Sequence, residues 1–204
     1  MLSMMSEKLF FVVGLGYLER TDTSELAQGD QMNVDECLRD RRTVRQFKPT
    51  PVSETTLAKI LNAARWAPSS RNQQPWHLVV VRNREALAQI GQIAGTGSFI
   101  AEAPLAIAVV MENADQPQMD GGRALQQMEI MAWSEGLGTC FVTLTEEERQ
   151  KIVELLKIPA ALDLITVLPF GYRPDDFRGR GTPRKPLSEM VHSETFVNPN
   201  HADR

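Results

Sequence analysis

Cysteine and histidine are scarce in this chain, and each scarcity removes a class of chemistry. Cys37 and Cys140 are the only cysteines and lie far apart. They form neither a disulfide framework nor a zinc-binding spacing, and they suit a reducing compartment. His77, His192 and His201 are the only histidines, and no catalytic triad or metal set can be assembled around them. Positive charge is not in excess either. A net charge of −4 and a pI near 5.5 argue against nucleic acid as the main partner. No apolar run reaches the ~20 residues that span a bilayer. The nearest approach, "LFFVVGLGYL" at 9–18, is flanked by Glu7-Lys8 and Glu19-Arg20 and lacks the basic n-region and small-residue cleavage site of a signal peptide. A cytoplasmic protein with no membrane partner is expected.

Residues 1–32 differ from the remainder and end in the polar stretch "ERTDTSELAQGDQ" before Met32. They read either as a flexible extension or as an over-called start. The pair Gly14-x-Gly16 after an apolar run resembles a dinucleotide fingerprint, but Glu19 occupies the third glycine's place and no βαβ unit follows. From residue 33 onward one domain is expected, with no repeat and no internal linker. Leu57, Ile60, Leu61 and Ala64 recur at helical spacing after Ser53, a capping residue. "HLVVVRN", "LAIAVVM", "TCFVTL" and "DLITVLPFGY" read as strands, and a helix is expected over about Asp120–Glu135, stopped by Gly136 and Gly138. Thr145 and Glu148 make a capping box. Alternation of strand and helix on its own suggests a parallel α/β sheet. After Tyr172 the chain turns polar and rich in Gly, Pro and Arg.

Within an acidic protein, "RRTVRQF" at 41–47 concentrates three arginines. In an extended chain Thr43, Arg45 and Phe47 share one face, and Arg42, Val44 and Gln46 the other. Guanidinium forks beside a hydroxyl suit a phosphate, and Arg184 and Lys185 in the tail could add charge. "PSSRNQQPW" at 68–76 supplies hydroxyls and an amide on a turn. Trp76 and His77 read as structural, and the runs Asp175-Asp176 and Glu146–Glu148 as solvated surface charge. No protein nucleophile or acid–base pair stands out.

Together these pieces resemble the nitroreductase family of FMN-dependent oxidoreductases. "RRTVRQFKPTPV", "AARWAPSSRNQQPWHLVVV", "GRALQQMEIMAWSEGLGTCFV" and "LPFGYRP…PRKPLSEMVH" match its motifs in order. The resemblance implies an α+β fold with a mixed β-sheet flanked by helices, in place of the parallel sheet. It also implies an interlocked homodimer whose C-terminal arm, from about residue 173, crosses to the partner. By position, Arg41, Arg42 and Thr43 resemble the phosphate and ribityl binders, with Arg184 joining them. Arg45 and Asn72 resemble ligands of the pyrimidine edge. Pro68, Ser69 and Ser70 resemble the loop that reaches the flavin from the other subunit. Gly138 and Thr139 resemble the segment whose backbone approaches the ring nitrogen N5. NADH or NADPH as donor, a nitroaromatic, quinone or other small electron acceptor, and ping-pong turnover are implied. Gln127 stands where the family often has asparagine, and 111–121 is short, which implies an open pocket or one shaped by the 173–183 loop. The alternatives are a relative with other flavin chemistry (reductive dehalogenation or flavin-fragmenting cofactor synthesis) or a flavin-binding protein without turnover.

Overall fold

The computed structural model describes residues 32–179 and 181–196, so the apolar run and glycine pair near the N-terminus lie outside the described residues. In chain order the elements are α1 (Val34–Asp40), α2 (Glu54–Arg65), β1 (Trp76–Val81), α3 (Arg84–Ile93), β2 (Leu105–Met111), α4 (Pro117–Ser134), β3 (Leu137–Thr139), α5 (Glu146–Leu155) and β4 (Asp163–Tyr172). Side chains supply the helix starts. Ser53 and Asn83 accept from the backbone N–H of Thr56 and Ala86, while Asn33/Glu36 and Thr145/Glu148 form complete capping boxes. Each cap satisfies donors that the first helical turn leaves without partners.

The strands lie in the order β1-β2-β4-β3, and every ladder between them is antiparallel. This corrects the parallel arrangement that the alternation suggested. The misleading signal was β2, which is buried along its whole length. Such runs are usual in parallel sheets because both faces are covered, and here helices cover both faces of an antiparallel sheet. Leu105, Ile107, Val109 and Met111 face α2 and α4, packing with Leu57, Ile60 and Met128. Ala106, Ala108 and Val110 face α3 and α5, packing with Leu87, Ile90 and Ile152. Among the described residues the sheet is mixed only at an isolated parallel bridge, Thr43 to Thr139.

Two boundaries differ from expectation. Helix α4 begins a turn early, with Pro117 in its first turn, a position where the missing N–H costs nothing. The strand expected over "TCFVTL" ends at Thr139. Burial still alternates through Phe141, Val142, Thr143 and Leu144, but no strand pairs there, and the Thr166 hydroxyl donates to the Val142 carbonyl at 2.7 Å. Period two therefore recorded the burial correctly and the ladder incorrectly. No helix among the described residues is long and apolar enough to cross a membrane.

Ile107 is fully buried at the centre of the sheet. Ile107→Ala should lower stability by about 2–5 kcal/mol, read as a reduced urea midpoint with an unchanged slope.

Candidate functional site

The arginine segment is fixed by a close backbone approach. Helix α1 ends as the Arg41 N–H donates to the Cys37 carbonyl at 3.0 Å. The chain then becomes extended, and the Val44 N–H donates to the Thr139 carbonyl at 3.0 Å. Val44 is buried with Cys37 and Trp133, while Thr43 and Arg45 on either side are exposed. The expected two-face alternation therefore holds from Thr43 to Arg45 and fails beyond, where Gln46 is exposed and Phe47 half-buried. Gly138 makes the approach possible, because a Cβ there would stand 2.4 Å from Val44 Cβ. Gly138 and Thr139 are accordingly buried between β4 and the arginine segment. They hold that segment in place and are not open to a ligand; the first exposed residue after them is Phe141.

A cavity of about 500 Å³ opens beside the segment, lined by Arg39, Arg41, Arg42, Thr43, Arg45, Arg178, Thr182 and Arg184, with Phe177 and Gly179. The structure thus unites Arg41, Arg42, Thr43, Arg45 and the tail residue Arg184 within one chain. Arg42 Nη1 donates to the carbonyls of Arg39 at 2.5 Å and Arg41 at 3.0 Å, steadying the end of α1, where a cation is favoured. Its Nε is buried without a hydrogen-bond partner, as is the Thr139 hydroxyl. Burial pushes the Glu129 carboxyl on α4 above its usual range, with Arg41 opposing the shift. Burial also raises the Cys140 thiol, against the pull of Arg45.

Polar residues 68–74 form a second centre. Arg71, Asn72 and Gln74 have φ of 49°, 57° and 49°, a left-handed conformation that costs side-chain-bearing residues energy. Hydrogen bonds hold it. Gln74 N–H donates to Ser69 Oγ at 2.9 Å, and Ser70 N–H to Asp120 Oδ2 at 3.0 Å. Asp120 is fully buried on α4 and also accepts from Arg123 Nη1 at 2.9 Å. Arg71 pairs with Asp115 at 3.0 Å. Asp120 was expected only as a helix start, and nothing local in the sequence marks it as the anchor of a turn fifty residues earlier. Arg173 was also missed. Its Nη1 donates to the Trp133 and Leu137 carbonyls at 3.0 and 2.8 Å, and its guanidinium lies 3.9 Å from the Trp133 ring centroid. It ties the end of α4 to β3, and burial lowers its pKa.

The two centres lie at opposite corners of the sheet. Trp76, onto which the polar turn leads, pairs with Met111 at the end of β2; Thr43 connects through Thr139 and Phe170 to Leu105 at its start. Roughly 19 Å across the strands and about 20 Å along them put Thr43 and Trp76 about 28 Å apart. A pocket for one small ligand is about 10 Å across. Within one chain Ser69, Ser70 and Asn72 do not join Arg41–Arg45.

A family model described as the nitroreductase family matches residues 38–122 and 96–172. The chain belongs to the nitroreductase family. Among its relatives, a Methanothermobacter thermautotrophicus protein assigned to the NADH dehydrogenase/NAD(P)H nitroreductases is 33% identical over 149 residues, covering 70% of this chain and 78% of its own. The FMN reductase [NAD(P)H] of Bacillus subtilis is 28% identical over 188 residues, covering 81% and 75%. Among solved structures, an FMN-dependent nitroreductase from Clostridium difficile R20291 superposes with a TM-score of 0.73 at 29% identity, covering 78% of this chain and 98% of that one. The nitroreductase fold here is therefore an α+β fold, as the sequence motifs implied.

Two outcomes test the site's physics. Asp120→Ala leaves the Ser70 N–H without its acceptor and should cost about 1–3 kcal/mol, with faster amide exchange concentrated at 68–75. For Glu129 the sign follows from its raised pKa. Above the ordinary glutamate range the unfolded chain has released this proton while the folded chain retains it, so stability falls as pH rises through that window. Glu129→Gln should flatten that part of the stability–pH curve.

Proposed function

We propose that this nitroreductase is an FMN-dependent NAD(P)H oxidoreductase that reduces nitroaromatics, quinones or similar small acceptors as a homodimer. The observation that carries the reading is the basic cavity, in which Arg41, Arg42, Thr43 and Arg184 converge from two distant parts of the chain. Its donor set fits a phosphate: guanidinium forks, a hydroxyl, and the buried unpaired Nε of Arg42. Arg41, Arg42, Thr43 and Arg184 would hold the phosphate and ribityl chain. Arg45 would give the polar edge of the ring a fixed cation, where negative charge accumulates on reduction. Bound FMN would supply the redox chemistry between NADH or NADPH and the acceptor, while these residues would bind and orient it.

A second copy of the chain is part of this reading. Because Thr43 and Trp76 stand about 28 Å apart along and across the sheet, Pro68, Ser69, Ser70 and Asn72 are assigned to the other subunit's flavin. The pyrimidine-edge role implied for Asn72 is therefore assigned across the interface, and the N5-side role implied for Gly138 and Thr139 passes to the exposed stretch that begins at Phe141. Exposed apolar groups support the pairing. Trp66 is 75% exposed, and Leu187, Met190, Val191 and Phe196 in the tail are exposed without a core of their own. The free, buried thiols of Cys37 and Cys140 suit a reducing cytoplasm.

The purified protein should be yellow, bleach with NAD(P)H and recover its colour with a quinone. An unchanged flavin spectrum after NAD(P)H would rule out the oxidoreductase. Arg41→Ala combined with Arg184→Ala should release FMN, checked by flavin fluorescence after desalting.

A further inference from the structure

The basic cavity holds more positive charge than one cofactor phosphate neutralises. Among the described residues six arginines line it and no carboxylate does. Among the described residues two acids act on these arginines from outside the cavity. Asp35 pairs with Arg39 at 3.0 Å, both side chains being largely exposed, and such a pair binds weakly. Glu129 acts on Arg41 from α4, and burial disfavours its ionised form. Even if both acids are counted as fully charged, four positive charges remain. A phosphate monoester carries about −1.5 to −2 at neutral pH.

The surplus has a defined place. Arg41, Arg42 and Arg184 are assigned above to the FMN phosphate, and Arg45 to the ring edge. That leaves Arg39 and Arg178, both exposed and both lining the cavity. Arg178 has one weak contact, from Nη1 to the Phe177 carbonyl at 3.3 Å. The loop that carries it is packed rather than splayed, since a Cβ on Gly179 would stand 2.4 Å from Arg42 Cγ. This contact sets Arg178 next to the phosphate-binding arginines and concentrates like charge, an arrangement that anions stabilise.

Resting on the FMN oxidoreductase reading, we infer that the cavity takes two phosphate monoesters: that of the resident FMN, and that of a transient substrate held by Arg39 and Arg178. Two substrates of such an enzyme carry this group. NADPH has a 2′-phosphate that NADH lacks, and FMN used as an acceptor has a 5′-phosphate that riboflavin lacks. The shared chemistry is the monoester, on the donor side in one case and on the acceptor side in the other.

Steady-state kinetics on the flavin-loaded full chain separate these sources. NADPH is compared with NADH at a fixed quinone concentration, and free FMN with riboflavin as acceptor under NADH. In at least one pair the phosphorylated member should be preferred about tenfold or more in kcat/KM, mainly through KM. The preference should shrink as ionic strength rises above about 0.15 M, where exposed charges are screened. Arg39→Ala with Arg178→Ala should reduce it to about twofold, and Arg178→Lys should retain part of it. A preference in the nucleotide pair assigns the site to the donor, and one in the flavin pair to the acceptor. Ratios within twofold for both pairs, or a preference indifferent to salt and to both arginines, overturn the second phosphate site. Flavin that neither nucleotide bleaches overturns the oxidoreductase reading, and this inference with it.

Discussion

The contact between Val44 and Gly138 is the constraint on which the site depends. An extended segment carrying three arginines has no intrinsic reason to lie against a sheet, because its charges favour water. Burying Val44 fastens the segment, and the hydrogen bond from Val44 to Thr139 sets its register. Thr43 and Arg45 are then directed outward by the pleat alone. Only a residue without a Cβ at 138 permits the approach, so one glycine decides where the cations stand.

Concentrating arginine in an acidic protein raises an electrostatic problem that the fold meets locally. Arg42 and Arg173 spend their donors on backbone carbonyls near helix ends, where partial negative charge is available. Arg173 also lies over an indole face, a favourable seat for a partly buried guanidinium. Arg42 keeps its Nε unpaired and, with the other arginines of the segment, faces a cavity that holds no carboxylate among the described residues. An anion there neutralises repulsion between neighbours as well as forming its own contacts.

The polar turn illustrates a different use of buried charge. Three left-handed residues in four are tolerable only if the surroundings determine them strongly. A fully buried aspartate does this, bonding to a backbone N–H and to an arginine on its own helix. The turn is thereby rigid, yet it stands at the corner of the sheet opposite to the cations. In the proposed dimer this separation becomes useful, because a two-fold axis can bring each turn to the other chain's cavity and generate two equivalent sites.

How much was readable in advance varies with the range of the interactions involved. Caps, helix periods and the identity of the cations were legible, since Ser53, Thr145 and the run 41–47 act through neighbours a few residues away. The family was legible as well, because four motifs stand in order along the chain. Sheet direction was not: β2 is apolar along its length whether the strands beside it run parallel or antiparallel, and only the register with β1 and β4 decides. Nor was the end of β3, where burial alternates beyond the last ladder pair, nor the anchoring role of Asp120, which lies far from Ser70 in the chain. The sequence by itself determined which groups could bind an anion and which segments could be helices. The tertiary structure decided which of those groups share a cavity, because distance across a sheet depends on strand order, and local sequence carries no record of it.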